Sequence, residues 1–387
     1  MKRGNKMLGL YVHIPFCVSK CNYCDFNSYK VDKNSKERYI EDLKKEINIY
    51  KEEKEKKGNE YEEISSVFIG GGTPSILSSE EIKHIFEIIK VNFKIKENAE
   101  ITMECNPGTL TKEKLITMKN IGINRLSMGL QAVQDHHLKS IGRIHTYEEF
   151  EKNYKEAIEV GFNNINIDLM YALPNQKIEE WKESLRKIVG LNPSHISAYS
   201  LILEEGTQLY NMYENKEFEM IDEDTDINMY NYTINYLKEN GYNQYEISNY
   251  AKEGFDCRHN ILYWKCDHYI GLGPGAAGYL NNYRYSNVES LQEYHKKLNK
   301  NEKPIENIEE LSVEDKIQEK IFMGLRMNEG IKFEDFKKQF NIDFKDKYIK
   351  QIKELKEKEL INESITGVSL TQKGREISNS IFVEFIN

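Results

Sequence analysis

The sequence predicts an α/β fold: a partial parallel (β/α)6 barrel followed by a mainly helical, winged-helix-like C-terminal domain. Two observations carry this. Strand-like and helix-like stretches alternate through the first three quarters of the chain, which implies a parallel sheet. From about Asn301 the pattern changes to closely spaced helices and a small hairpin. The expected division is 1–300 and 301–387.

The elements follow in order. Leu8–Ile14 reads as a strand ending at a cysteine-rich loop, and Lys33–Lys57 as a long charged helix. The end of that helix, Lys51–Lys57, is a solvated face by composition. Ile64–Ile69 is a short apolar run, a buried strand closed by Gly70-Gly-Gly-Thr-Pro74, and Ser78 or Ser79 caps a helix to about Lys90. Strands at Ala99–Glu104, Arg125–Met128, Asn164–Leu169 and Ile196–Leu201 alternate with helices at Lys112–Ile121, Tyr147–Val160, Ile178–Val189 and Asp224–Glu239. Candidate ligand residues fall at or just after strand ends: Gly70–Thr73, Glu104, Gln131 and Asp168. In a parallel barrel those ends share the face that carries the site. Six units suggest a barrel open on one side, with a doubly wound sheet as the alternative. Gly271-Leu-Gly-Pro-Gly-Ala-Ala-Gly278 reads as a tight structural loop; it is not a dinucleotide fingerprint. Beyond it, Val313–Arg326, Phe333–Phe340 and Lys345–Glu359 read as helices, then Leu360–Ile365 and Val368–Leu370 as a hairpin and a last helix. Packing or partner contact suits this mixed-charge tail better than nucleic acid.

Composition narrows the class. The 387 residues, with 39% hydrophobic content, 25 Tyr and 16 Phe, can bury a sizeable core. A net charge of −9 argues against a large nucleic-acid surface. No stretch approaches the ~20 apolar residues of a membrane span. The start, Met1–Leu10, mimics a secretory signal, but His13, Pro15 and Cys17 follow with no small-residue cleavage site. It reads as a short tail, and the protein as cytoplasmic, where thiols stay reduced.

Cys17, Cys21 and Cys24 lie in Tyr11-Val-His-Ile-Pro-Phe-Cys-Val-Ser-Lys-Cys-Asn-Tyr-Cys-Asp-Phe26, spaced C-x-x-x-C-x-x-C. Three thiolates this close can hold three corners of a 4Fe-4S cubane and leave one iron open. An open metal position can take a small molecule. Zinc on these cysteines and His13 is the alternative, but zinc sites usually add a second cysteine pair, and Cys105, Cys257 and Cys266 stand alone. A disulfide would leave one neighbour unpaired.

The run Tyr11–Phe26 resembles the radical S-adenosylmethionine superfamily, and more narrowly the oxygen-independent coproporphyrinogen III oxidases and their relatives. The likeness continues through Gly70–Ser75, Met103–Gly108, Arg125–Gln131, Gly142–His145, Ile167–Pro174 and His195–Tyr199, in order. It implies that the open iron is chelated by the amino and carboxylate groups of S-adenosylmethionine, whose cleavage yields a 5′-deoxyadenosyl radical. It implies backbone approach to the methionine amino end at Gly71, Gly72 and Thr73. Cofactor contacts would come from Glu104, Gln131, Arg143 and Asp168, with Tyr11 and Tyr23 beside the cluster. Arg143 suits a carboxylate, since a guanidinium forks bidentately.

Two departures separate the chain from the oxidases. Phe26 stands where they carry a further cysteine, and only ten residues precede Tyr11. Both features resemble the related haem chaperone family (HemW type), as does Tyr245-Glu-Ile-Ser-Asn249 followed by His259-Asn-Ile-Leu-Tyr-Trp264. The resemblance implies haem as a further ligand, with His259 as the candidate iron donor and Tyr263 and Trp264 stacking on the porphyrin. The plain alternative is a core cluster around a satisfied histidine. Cys257 and Cys266 could ligate or be inert. The expected function is a haem chaperone with a haem-acceptor protein and a reductant protein such as flavodoxin or ferredoxin as partners. Coproporphyrinogen III oxidase activity is the first rival, and another radical enzyme such as a tRNA modifier the second.

Overall fold

The structure, a computed structural model, describes residues 7–57 and 63–385. Most of the N-terminal tail reading, and the solvated face at the side chains of Lys54–Lys57, lie outside what is described.

Six parallel strands form the centre: β1 (Leu8–Ile14), β2 (Ile64–Gly71), β3 (Ile95–Cys105), β4 (Arg125–Gln131), β5 (Ile165–Tyr171) and β6 (His195–Ser200). Each pairs with the next in chain order. A doubly wound sheet reverses its strand order at a switch point; here the order never reverses, so the six units form the open barrel.

The sheet runs further than expected, because both edges are extended. Beyond β6 come β7 (Asn243–Gln244) and β8 (Asn249–Ala251), with β8 against β6. Beyond β1 come β9 (His268–Leu272), parallel to β1, then β10 (Ala277–Leu280), β11 (Tyr283–Asn287) and β12 (Ile305–Glu310) in antiparallel succession. The result is a 12-stranded sheet. The strand Ile305–Glu310, on the C-terminal side of position 300, is part of it.

The glycine run at 271–278 packs as a tight structural loop must. A Cβ on Gly271 would collide with the Ala277 backbone, and one on Gly278 with the Tyr285 ring. Glu46, fully buried on the Lys33–Lys57 helix, ties the loop down. It accepts from Gly273 N (2.8 Å), Asn287 Nδ2 (2.7 Å) and Tyr294 OH (2.6 Å).

The crossover helices bury apolar faces against the outside of the sheet, and Ser78 caps the second with a reciprocal capping box to Glu81. The C-terminal segment builds its own core from Ile317, Ile321, Leu325, Phe336, Phe344, Tyr348 and neighbours. Its helices surround a three-stranded sheet of Ile331–Lys332, Gly367–Leu370 and Ile361–Glu363, the middle strand being the second arm of the hairpin. Helices plus a hairpin wing were legible; the two-residue strand Ile331–Lys332 was too short to read.

Candidate functional site

Alternation explains why the barrel interior is polar. Along β4, Arg125, Ser127, Gly129 and Gln131 share one face; along β5, Asn166 and Asp168; along β6, His195, Ser197 and Tyr199. The intervening Leu126, Met128, Ile165, Ile167, Ile196 and Ala198 are buried in the apolar core. All of these inward residues except His195, which is fully buried, line a cavity of about 510 Å³ beneath the cysteine loop. That is the size of a small-molecule site.

The loop is pinned at both ends. Phe16–Cys17 pairs with Tyr29–Lys30, and Asn22 bonds Ile141 O and Ser140 O. Cys17, Cys21 and Cys24 are free thiols lining the cavity. Thr73 Oγ1 donates to Cys17 Sγ at 3.4 Å, and Arg143 Nη1 to Cys21 Sγ at 3.6 Å. Burial, with the charges of Cys21 and Cys17 behind it, pushes the Cys24 thiol up to about 11. A cation among the three sulfurs would reverse that. His13 is not a fourth donor. Its Nδ1 takes the Tyr11 hydroxyl at 2.9 Å and its Nε2 donates to the Asn27 carbonyl at 2.8 Å.

The glycine loop after β2 closes over the same sulfurs. Gly72 N bonds Ile14 O and Thr73 N bonds Phe16 O. A Cβ on Gly72 would come 2.7 Å from Phe16 O and 3.0 Å from Cys17 Sγ. Gly71 has φ +112°, and a Cβ there would strike the His13 ring at 2.6 Å. The space beside Gly71 is therefore filled by protein, whereas Gly72 abuts the sulfur site.

The remaining expected residues converge on the cavity. Glu104 Oε2 accepts from Gly71 N at 3.0 Å, and burial together with the Asp168 charge raises its carboxyl to about 8. Burial also raises Asp168. Gln131 sits at φ +76°, a left-handed position uncommon outside glycine and the kind of backbone strain found at sites. Tyr11 and Tyr23 line the wall, and burial raises both phenols. Arg143 is partly committed: Nη2 donates to Asn106 Oδ1 and to the Gly129 carbonyl, while its Nε has no partner among the described residues.

Sequence reasoning passed over Asn106, which links Thr73 Oγ1 to Arg143, and the inward polar set Arg125, Ser127, Asn166, Ser197 and Tyr199. The signal was present as polar residues two apart within apolar strands.

His259 lies in the wall of the cavity, buried, on the short Arg258–Trp264 helix. Both ring nitrogens are engaged, Nδ1 with Ser66 Oγ at 2.9 Å and Nε2 with Tyr263 OH at 2.8 Å. Phe68 stacks on the ring, and burial lowers its pKa to about 3. This is the satisfied core histidine of the plain alternative; binding iron would require one hydrogen bond to break. Tyr263 packs edge-on against His259 and Tyr269, and the Arg326 guanidinium covers Trp264. Cys257 and Cys266 are free thiols, Cys257 fully buried.

An open parallel barrel whose strand ends meet a three-cysteine loop, a glycine turn and two half-buried, cavity-lining carboxylates defines a radical S-adenosylmethionine protein. The family description "Radical SAM superfamily" matches residues 11–188, and "HemN C-terminal domain" matches 311–377. The chain is 37% identical over 376 residues to the heme chaperone HemW of Lactococcus lactis subsp. lactis, covering 97% of this chain and 96% of that one. It is 35% identical over 382 residues to the heme chaperone HemW of Bacillus subtilis, covering 98% and 99%. The chain belongs to the heme chaperone HemW family. Coproporphyrinogen III oxidase (HemN) from Escherichia coli, at 22% identity, superposes with a TM-score of 0.85 over 99% of this chain and 90% of that one. That likeness concerns the fold alone.

Membership in the superfamily implies a 4Fe-4S cluster and S-adenosylmethionine. The donor set fits: three convergent thiols, N–H and O–H donors aimed at two of the sulfurs, and a glycine with no room for a side chain. Among the described residues, no helix is long and apolar enough to cross a membrane.

Proposed function

We propose that this chain is a haem chaperone: it binds haem and passes it to an acceptor protein, on a scaffold holding a 4Fe-4S cluster and S-adenosylmethionine. The observation that carries this reading is identity to heme chaperones over nearly the whole chain. Phe26 adds to it, an exposed ring at the cavity mouth where the oxidases offer another thiol.

Cys17, Cys21 and Cys24, whose thiols line the cavity, would hold the cluster. Bound beside the cluster, S-adenosylmethionine would supply radical chemistry. Gly72 and Thr73 would admit its methionine end along the backbone, while Gly71 shapes the turn. Glu104 and Asp168 suit amine and hydroxyl donors, and a cationic amine beside Glu104 would offset the burial that raises its carboxyl. Arg143 would turn its free Nε–H toward the carboxylate. Gln131, Tyr11 and Tyr23 complete the wall.

Haem binding through His259 requires release from Ser66 or Tyr263. A reductant protein of the flavodoxin or ferredoxin kind would dock at the cysteine loop, and a cytoplasmic setting would keep the six thiols reduced. The two units are proposed to divide near Leu311, where the large sheet ends and the second core begins.

Titrating anaerobic, cluster-loaded protein with haem tests the reading. A saturable Soret band is expected, shifted or weakened in His259→Ala, with the iron–sulfur absorption unchanged. No saturable haem binding by the wild-type chain would sink the proposal. An unshifted band in His259→Ala would move the ligand elsewhere.

A further inference from the structure

Asp168 does not stand alone in the cavity. Asn166 Nδ2 donates to its Oδ1 at 2.7 Å and Ser127 Oγ to its Oδ2 at 3.2 Å. The Asn166 amide cannot be turned round, because its carbonyl would then face the carboxylate. Its Oδ1 therefore points away, at His195 Nδ1, 2.6 Å distant. That nitrogen must carry the proton. The opposite nitrogen, Nε2, is then an acceptor, and it lies 2.8 Å from the Tyr245 hydroxyl, which donates to it. With Asp168 ionised each of these groups has one permitted role, so the chain has a single direction: Tyr245 to His195 to Asn166 to Asp168.

His195 and Asn166 are buried, and burial with the nearby Arg125 charge keeps the imidazole neutral. The far end is fastened from outside the barrel. Tyr245 O accepts from Asn328 N at 2.9 Å, and Glu246 bridges to Met327, both just past the Val313–Arg326 helix of the C-terminal unit. A displacement of that unit would pull on Tyr245 before it reached Asp168.

We propose that Tyr245, His195 and Asn166 are positioning residues that aim Asp168 into the cavity, and that the C-terminal unit anchors this relay. The inference rests on the reading of Asp168 as a cofactor contact, and its test separates the two.

Two measurements on the full chain decide it. The first needs no cofactor: ¹⁵N-histidine spectra should show His195 as the Nδ1–H tautomer, the minor form of free histidine. An Nε2–H tautomer would overturn the relay. The second is a cycle of S-adenosylmethionine affinities on cluster-loaded wild type, Tyr245→Phe, Asp168→Asn and the double variant. Tyr245→Phe should weaken binding roughly fivefold, the equivalent of one hydrogen bond, with cluster absorption intact, and have no further effect in the Asp168→Asn background. Equal losses in both backgrounds would show that Tyr245 does not act through Asp168, and would overturn the proposal. If Asp168→Asn alone leaves affinity unchanged, the cofactor role of Asp168 fails and the aiming role fails with it, while the tautomer still reports whether the relay exists.

Discussion

Gly72 has no room for even a methyl group, since its Cβ would sit between the Phe16 carbonyl and the Cys17 sulfur. Gly72→Ala should therefore lower iron and acid-labile sulfide sharply in anaerobic preparations while the fold, read by circular dichroism, persists. Full iron content would show that the loop can yield. His259 gives a pH signature. Its folded pKa, about 3, lies below that of free imidazole near 6.5. Between those values the unfolded chain binds more protons, so this contribution to stability is complete above pH ~6.5 and is lost as pH falls, by up to about 1.4 kcal/mol per unit. Urea unfolding at pH 7, 6 and 5 should show a shallower acid loss in His259→Gln than in wild type; equal slopes would contradict a buried neutral imidazole. At this scale the meeting of the three thiols was legible from their spacing, and that of Glu104 and Asp168 at one cavity from their place near strand ends. Asn106 was not: its work, joining Thr73 to Arg143, depends on where the turn after Ile64–Gly71 and the loop after the Asp135–Ser140 helix lie.

Glu100 caps the Arg258–Trp264 helix. Its carboxylate accepts from Arg258 N and His259 N at 3.1 Å each, and Cys257 Sγ lies 3.7 Å away. Glu100→Ala leaves those donors without an acceptor, and stability should fall by about 1–2 kcal/mol. Amide exchange should speed up selectively in residues 258–264. Uniform acceleration across the barrel would instead mean that the cap is not local. The six barrel strands could be read because strand-like stretches with apolar residues at alternate positions recur between helical ones. The strands that extend the two edges could not. They are short, several are rich in tyrosine and glycine, and most pair antiparallel with partners that their own periodicity does not reveal.

The molecule has two main cores, joined through Tyr245–Glu246 and Met327–Asn328 among other contacts. Phe344, fully buried, packs against Phe333, Phe336, Tyr348 and Phe385. Phe344→Ala should cost the C-terminal unit about 3–5 kcal/mol and separate its melting from that of the barrel. A single shared transition, merely shifted, would mean that the units unfold together. The fold was legible at this scale because its class follows from the order of elements. The choice between chaperone and oxidase was not settled by the barrel, which suits both; it turned on Phe26 and on likeness along the whole chain. The most direct test supplies anaerobic, cluster-loaded protein with S-adenosylmethionine, a reductant and coproporphyrinogen III, and in parallel with haem and a haem-free acceptor. The account predicts that haem is held and handed to the acceptor while the porphyrinogen keeps all its propionates. Decarboxylation to protoporphyrinogen at the rate of a true oxidase would contradict it.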